Sequence, residues 1–494
     1  MERDLTLVID IGKSNAKLLF MDAAGQVQAQ YSRPNASVTS PLAYPALDVA
    51  GLAEWMQSSV RQAPLRQRCG RVIASTHGAA MVALGEESGV SDLAWAPLDY
   101  EFEGVQPQGD AQLAAVGAAA DSFRATLSPH LPAGLNAARQ LDWMQNTHPD
   151  AWRRTRCLLP YAQYWAWLLS GVASSEVSSL GCHTHLWQPV AGRFSDWALG
   201  RGWAALFAPL RPAWDVLGPV RPAIAATWGL PPNCLVHVGV HDSNACLARY
   251  LAVHAPPQAT APLTIVSSGT WTVLMAPGAN ADSLDAQKDM LGNVSVTGHV
   301  TPTARFMGGR EFAVLLDGAS PDAATDADLR QVRDSGTHAW PSFASQGGPF
   351  AGRAGRLTRG GRDVGGPWRQ HLHDGQRAAL AAIYCAQMTA WLTAYLWAGV
   401  CTPGRLIVEG PLAHNRHYLG VLQALLGDTA CFYSTDAVEG TARGAWQLAH
   451  WTGRPALAAP APGAYVAPAP RSDASDAAAW CRYHAAWCDG LQPV

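Results

Sequence analysis

One local pattern occurs twice in this chain, and it constrains the fold more than any other feature. Leu5-Thr6-Leu7-Val8-Ile9-Asp10 is a β-rich run ended by Gly12, Ala16 to Met21 is a second run, and Ala24-Gly25 turns into a third, Val27 to Tyr31. Far downstream, Leu263 to Ser267 is another apolar strand, Ser268-Gly269-Thr270 a small polar loop, and Trp271 to Met275 a returning strand closed by Pro277-Gly278. The recurrence predicts a duplicated fold whose halves meet near residue 255, where His254-Ala255-Pro256-Pro257 supplies a linker. At 494 residues the chain also exceeds what a single core organises. Helical periodicity over Leu135 to Met144, Ala162 to Leu169 and Gln376 to Trp397 alternates with these strands and makes the class α/β. The expected division is 1–254, 255–454 and a tail, 455–494. In that tail an Ala/Pro-rich linker precedes a short helix bearing Trp480 and Trp487, to which no chemistry is assigned. Gly318 to Gly366, rich in Gly, Asp, Ser and Arg, is expected as long surface excursions.

Composition excludes several partners. An apolar share of 48%, a charged share of 15% and a net charge of -3 describe a chain that buries a large core and offers no basic stripe to nucleic acid. The ten cysteines lack C-x-x-C pairing and the density of a secreted scaffold, so they are expected as buried thiols in a reducing compartment. Met1-Glu2-Arg3-Asp4 runs straight into a strand without the features of a signal peptide, and a cytoplasmic location is expected. Ala379 to Gly404 carries no charge and is long enough to span a bilayer. Gln387, Thr389 and Thr393 interrupt it, and a buried central helix is expected there, with no membrane partner.

The first loop reads Asp10-Ile11-Gly12-Lys13-Ser14-Asn15-Ala16-Lys17, and it holds two of the chain's three lysines. Gly12 permits close backbone approach to phosphate oxygens, Ser14 and Asn15 add donors, and lysine supplies a compact cation. Asp10, at the strand end, is placed to hold a hydrated Mg²⁺ beside such phosphates. An ordinary hairpin with solvated lysines accounts for the same residues. Gly12-Lys13-Ser14 also copies the end of the P-loop pattern, but the required earlier glycine falls on Leu7, and a strand, not a helix, follows. Ser268-Gly269-Thr270 is a second candidate phosphate contact, with two hydroxyls and a flexible glycine. Val236 to Val240 is a strand leading into His241-Asp242-Ser243-Asn244-Ala245 and a helical stretch. Asp242 there is either a helix N-cap or a general base for a sugar hydroxyl, since phosphoryl transfer needs little more than a carboxylate to accept the proton and position the oxygen. Leu406 to Gly410 is a strand into a Gly-Pro turn, and Asn415 precedes a helix that stops at Gly427. Glu439 to Ala445 opens another helix with small residues, which suit either a flat adenine or close helix packing.

With these pieces in order, the chain resembles the FGGY carbohydrate kinases from Leu5 to about Trp451. Asp10 and Gly12 are similar to the family's Asp-x-Gly loop, and Lys17 to its basic residue. Gly239-Val240-His241-Asp242 matches the setting of its catalytic aspartate, and Ser268-Gly269-Thr270 its second phosphate loop. Gly410, Asn415 and Glu439 to Ala445 match its adenosine-binding segments, and Trp143-Met144 and Leu168-Leu169-Ser170-Gly171 match further landmarks. The resemblance implies two actin-like, ribonuclease H-like domains around a central cleft, ATP with Mg²⁺, a small sugar as partner, and a homodimer as an open option. His241 to Ala245 and Ser267 to Trp271 look most like the rhamnulokinase and fuculokinase branch, which implies a 6-deoxy ketohexose, with xylulose or ribulose as the alternative. Lys13 stands where a threonine is usual, Glu409-Gly410-Pro411 replaces a double glycine, Gln163 replaces an acidic residue, and Ala80 replaces a polar one. His77, Asp99, Gln163, Tyr164 and His241 are the candidate sugar contacts, and a non-catalytic regulator of the same fold is the rival class.

Overall fold

The computed structural model describes residues 3–86, 93–105, 122–254, 263–399, 404–436, 440–451 and 466–491. Its contacts divide the chain into two compact units. The first is Met1–His254 with Gly292–Val300 and Val438–Pro460, and the second is Ala255–Leu291 with Thr301–Ala437 and Ala461–Val494.

In the first unit β1 (Leu5–Ile11), β2 (Asn15–Met21) and β3 (Val27–Pro34) form an antiparallel meander. Parallel to β1 runs β4 (Cys69–Thr76), and beyond it lie β5 (Val216–Pro219), β6 (Leu235–His237) and the two-residue β7 (Val240–His241). The order is β5-β6-β4-β1-β2-β3, with β7 also paired to β4. All residues of β1 are buried, because the sheet is covered on both faces. Leu5, Leu7, Ile9 and Ile11 pack with Leu52, Met56 and Trp165 on one side. Val8 packs with Ala245, Ala248, Ala442 and Ala445 on the other. Two helices supply that second side, Asp242–His254 and Gly440–Leu448. A Cβ on Gly444 would lie 1.7 Å from the Ala245 carbonyl oxygen, so the small residues of the second helix let it seat against the first. The sequence division grouped this helix with the second half; close packing against Asp242–His254 puts it in the first unit.

The second unit repeats the device. There β8 (Leu263–Ser268), β9 (Thr272–Met275) and β10 (Val300–Phe306) form an antiparallel meander. Next to β8 runs β11 (Arg405–Glu409) in parallel, followed by β12 (Ala430–Ser434), also parallel, and β13 (Val466–Pro468), antiparallel. Behind them lies the 23-residue helix Asp374–Leu396, started by a capping box between His373 and Gln376. Among the described residues it is the one helix long and apolar enough to cross a membrane, and 83% of its most apolar window is buried inside the fold.

Gly318 to Gly366 differs from the expected surface excursion. It folds into the helix Asp326–Asp334 and a three-stranded sheet of Thr337–Trp340, Arg356–Arg359 and Arg362–Asp363. Buried Leu329, Val332, Ala339 and Leu357 hold it in place. The C-terminal helix Ala474–Gly490 docks on that sheet, where the Trp487 indole N–H donates to the Ala339 carbonyl at 2.8 Å. The hydrophilic tally of the segment hid a short alternation of apolar residues that this tail covers.

Burial also sets a pH response. His185, His237, His338, His450 and His484 are each pushed down to about 4 by loss of hydration. Between the unfolded value of about 6.5 and that folded value the unfolded chain binds more protons. Stability therefore rises with pH through this window, and the melting temperature is expected to fall as pH is lowered from 6.5 towards 4. A thermal melt series measures it; a flat melting temperature across the window would mean these imidazoles protonate without leaving their sites.

Candidate active site

Strand register assembles the first cluster. Asp10 of β1 lies level with Ser75 of β4, and Ser75 with Val240 of β7. Three neighbouring parallel strands therefore end on one edge, where ligands of open α/β sheets gather. Just past their ends come the loop at Gly12, the pair His77-Gly78, and Asp242. The His77 N–H donates to the Ile11 carbonyl at 2.9 Å, which fixes the second strand end to the first. Asp10 is buried, and Lys17 faces it directly across the β1–β2 ladder. Ser14 and Asn15 are exposed in a turn closed by the Gly12 N–H on the Asn15 carbonyl, and the Asn35 amide donates to the Gly12 carbonyl at 2.8 Å.

Asp242 opens the 13-residue helix Asp242–His254. Its Oδ1 accepts from the Ser243 N–H at 2.5 Å and lies 3.2 Å from His241 Nε2. Asn244 presents its amide nitrogen to His241 Nδ1 at 3.1 Å, which leaves the ring proton on Nε2, facing the carboxylate. Burial pushes the His241 imidazole below its usual range, with the Asp242 charge opposing that shift, so the ring is neutral near pH 7. His77 is likewise pushed down, first by burial. Its Nδ1 meets the Gly78 carbonyl at 3.0 Å and so carries the proton. The other nitrogen, Nε2, is buried without a hydrogen-bond partner among the described residues and keeps a lone pair for a hydroxyl donor. A Cβ on Gly78 would sit 2.7 Å from Cys182 Sγ and 3.0 Å from His241, so glycine allows these segments to meet. Burial pushes the Cys182 thiol up to about 12, which makes it an inert wall.

Not every sequence candidate arrives at this edge. Tyr164 is fully buried in the apolar core between Trp165 and Trp167, a packing position. Gln163 is also fully buried and donates to the Gly239 carbonyl at 3.0 Å, bracing the turn before Asp242. Asp99 accepts from Lys13, from Ser37 and from the Glu101 N–H.

The second cluster is the hairpin Ser268-Gly269-Thr270 between β8 and β9. The Gly269 N–H closes it on the Trp271 carbonyl at 2.9 Å. Ser268 Oγ donates to the Glu409 carbonyl and accepts from the Leu412 N–H at 3.0 Å, tying the hairpin to the end of β11. Gly410 has φ +79 and ψ -160, and a Cβ there would lie 2.0 Å from the Ser268 carbonyl oxygen. Asn415 caps the helix Arg416–Leu426, its Oδ1 accepting from the N–H groups of His417 and Tyr418. Glu439 lies outside the described residues. The small residues after it serve the helix packing described above.

Comparison with known proteins supplies the family. A family model of the carbohydrate kinase FGGY C-terminal domain matches residues 260–457. The solved structure of a carbohydrate kinase from Novosphingobium aromaticivorans is 31% identical, with a TM-score of 0.83, and the match covers 99% of this chain and 99% of that one. The chain belongs to the FGGY carbohydrate kinase family. Its two units are the actin-like domains of that family, and the enzyme is a phosphotransferase that uses ATP and a sugar. A ligand-bound xylulose kinase from Lactobacillus acidophilus shares the fold at 13% identity, with a TM-score of 0.74 and coverage of 98% of this chain and 97% of that one. Glycerol kinase from Plasmodium falciparum with ADP does so at 10% identity, TM-score 0.70, covering 100% and 99%. A comparison with curated protein sequences found no match.

The kinase also carries supports that sequence reasoning passed over. The Gly309 N–H donates to the Thr270 carbonyl at 3.2 Å, and a Cβ on Gly309 would lie 2.2 Å from the Gly269 oxygen. Trp271 stacks under Arg305 at 4.6 Å, and Arg305 forks onto both oxygens of Asp289 at 3.1 and 3.0 Å. The adjacent glycines at 308 and 309, just where a helix begins, were the available signal.

Proposed function

We propose that this kinase transfers the γ-phosphate of ATP to a hydroxyl of a ketose, with Asp242 as the base that receives the hydroxyl proton. The observation that carries this reading is the carboxylate of Asp242 at the shared end of β4 and β7, partly exposed and held by the neutral His241. Proton acceptance requires a carboxylate within reach of the hydroxyl, and the Ser243 N–H and His241 hold this one at the start of the helix. His77 Nε2, as an acceptor, would receive a hydrogen bond from a second hydroxyl of the same sugar. The resemblance of His241 to Ala245 and Ser267 to Trp271 to the rhamnulokinase and fuculokinase branch supports a 6-deoxy ketohexose, L-rhamnulose or L-fuculose.

In the second unit, Ser268, Gly269 and Thr270 with Gly410 are the candidate phosphate contacts; in the first unit, Gly12, Ser14, Asn15 and Lys17 are the candidate phosphate donors. Mg²⁺ is held by one or two carboxylates and the phosphates themselves, not by an all-protein cage. The residues fit that demand: Asp10 supplies a buried strand-end carboxylate, and no group of three or more metal-ligating side chains exists among the described residues. Bound there, the ion would screen charge on the transferring group.

A melting-shift screen of ketoses with a nucleotide analogue tests the substrate assignment. L-rhamnulose or L-fuculose at one hundred times its Kd should stabilise the protein by about 2.7 kcal/mol, and each sugar that shifts the melt should give ADP when ATP replaces the analogue in a separate assay. D-xylulose giving the larger shift would move the assignment to pentuloses. Sugar binding without ADP release would make the protein a sensor.

A further inference from the structure

Lys13 sits in the phosphate-loop hairpin, yet its ammonium points elsewhere. Nζ pairs with Asp99, lies 3.5 Å from Glu101 Oε2, and stands 5.0 Å from the centre of the Tyr100 ring. Three consecutive residues, 99 to 101, therefore surround one cation. Their backbone is anchored by the Asp99 N–H on the Pro45 carbonyl at 3.0 Å and by the Gly134 N–H on the Tyr100 carbonyl at 2.8 Å. Tyr100 in turn meets the His77 imidazole edge to face, with ring centres 5.2 Å apart, and Tyr161 closes the other side of His77 at 5.2 Å. A continuous line of contacts thus runs from Lys13 through Tyr100 to the imidazole whose Nε2 has no hydrogen-bond partner among the described residues.

We infer that Lys13 is a positioning residue of the acceptor pocket and not a contact for the nucleotide phosphates. The inference rests on the kinase reading above. Asp99 is nearly fully buried, and its oxygens accept from Lys13, from Ser37 and from the Glu101 N–H at 2.9 Å. Burial alone would raise this carboxylate, but those donors outweigh it and hold it below the usual range. Turning the ammonium towards a phosphate would strip a buried carboxylate of its only lysine partner, which is strongly unfavourable. Asp99 is then a brace for the wall of the pocket, and its oxygens are already committed to donors other than sugar hydroxyls. Lys17, level with Asp10 on the adjacent strand, is left as the lysine on the nucleotide side.

Calorimetric titration with ADP tests this without knowledge of the sugar. Lys13→Met should leave the ADP Kd within about twofold of the parent, whereas Lys17→Met should weaken it about tenfold or more, the scale of one lost charged contact. Steady-state kinetics with L-rhamnulose and with D-xylulose supply the second readout. Lys13→Met should raise the KM of the phosphorylated sugar about tenfold with the ATP KM unchanged, and Lys13→Arg should recover part of it because the guanidinium keeps the charge. A tenfold weaker ADP Kd in Lys13→Met, or unchanged KM values for both substrates, overturns the inference. If Lys13→Met does not fold, the double variant Lys13→Met with Asp99→Asn removes the buried charge along with its partner and is held to the same two outcomes. Failure of the kinase reading itself is separate, since it would appear as no ADP formation by the parent enzyme.

Discussion

Asp242→Asn should turn over the best sugar about 10²- to 10⁴-fold more slowly than the parent, the range associated with losing a positioned base. The amide has the shape of the carboxylate. Its oxygen can still accept from the Ser243 N–H, and the start of the helix Asp242–His254 therefore survives. His241 keeps an acceptor opposite its Nε2 proton, so orientation is preserved as well. What is lost is the capacity to take a proton from the attacking hydroxyl. A coupled assay of ADP formation measures the effect, and ADP affinity by calorimetry should stay within about twofold, because a base on the acceptor makes no differential contact with bound nucleotide. Parent-like turnover by this variant would remove Asp242 from the chemistry and leave it as a helix cap.

The second large effect is expected at Gly410. Its φ of +79 and ψ of -160 lie where only glycine is comfortable, and a Cβ would sit 2.0 Å from the Ser268 carbonyl oxygen. Strain of that kind costs about 1–3 kcal/mol by itself. The clash adds to it, because the obstacle is backbone on the neighbouring strand and cannot rotate away. Gly410→Ala is therefore expected to push Ser268 off the end of β11, lower the melting temperature and raise the ATP KM by more than about tenfold, the equivalent of 1.4 kcal/mol. Gly427→Ala is the control: φ is +62 but open space surrounds it, so it should show backbone strain without loss of nucleotide affinity. Equal ATP KM values for both variants would mean that the Ser268 hairpin does not bind phosphate.

The two meanders illustrate how a sequence can announce its architecture. In β1 and β8 leucine and β-branched side chains predominate because both faces of each strand are covered, and the glycine that follows each run marks the loop. Such features are local, so they survive in one dimension. The fate of Gly444 does not: a small residue on a helix suits an adenine and a neighbouring helix equally, and only the Ala245 carbonyl 1.7 Å from its missing Cβ decides between them. Tyr164 and Gln163 fail to be legible for a related reason. Helical periodicity says that one face is buried, but not whether burial means a binding pocket or the core of the sheet.

Lys13 shows the same limit with charge. Its neighbours in sequence, Gly12 and Ser14, suggested phosphate, while its neighbours in space, Asp99 and Glu101, come from a segment more than eighty residues away. By itself the sequence determined the α/β class, the duplicated strand and loop device, the family and the order of its motifs, since each depends on residue types at short spacing. Only the tertiary structure decided which side chain faces which. Register between strands and the packing of one helix on another bring together residues that no local spacing connects, and the direction of each polar group is set by the partner it meets there.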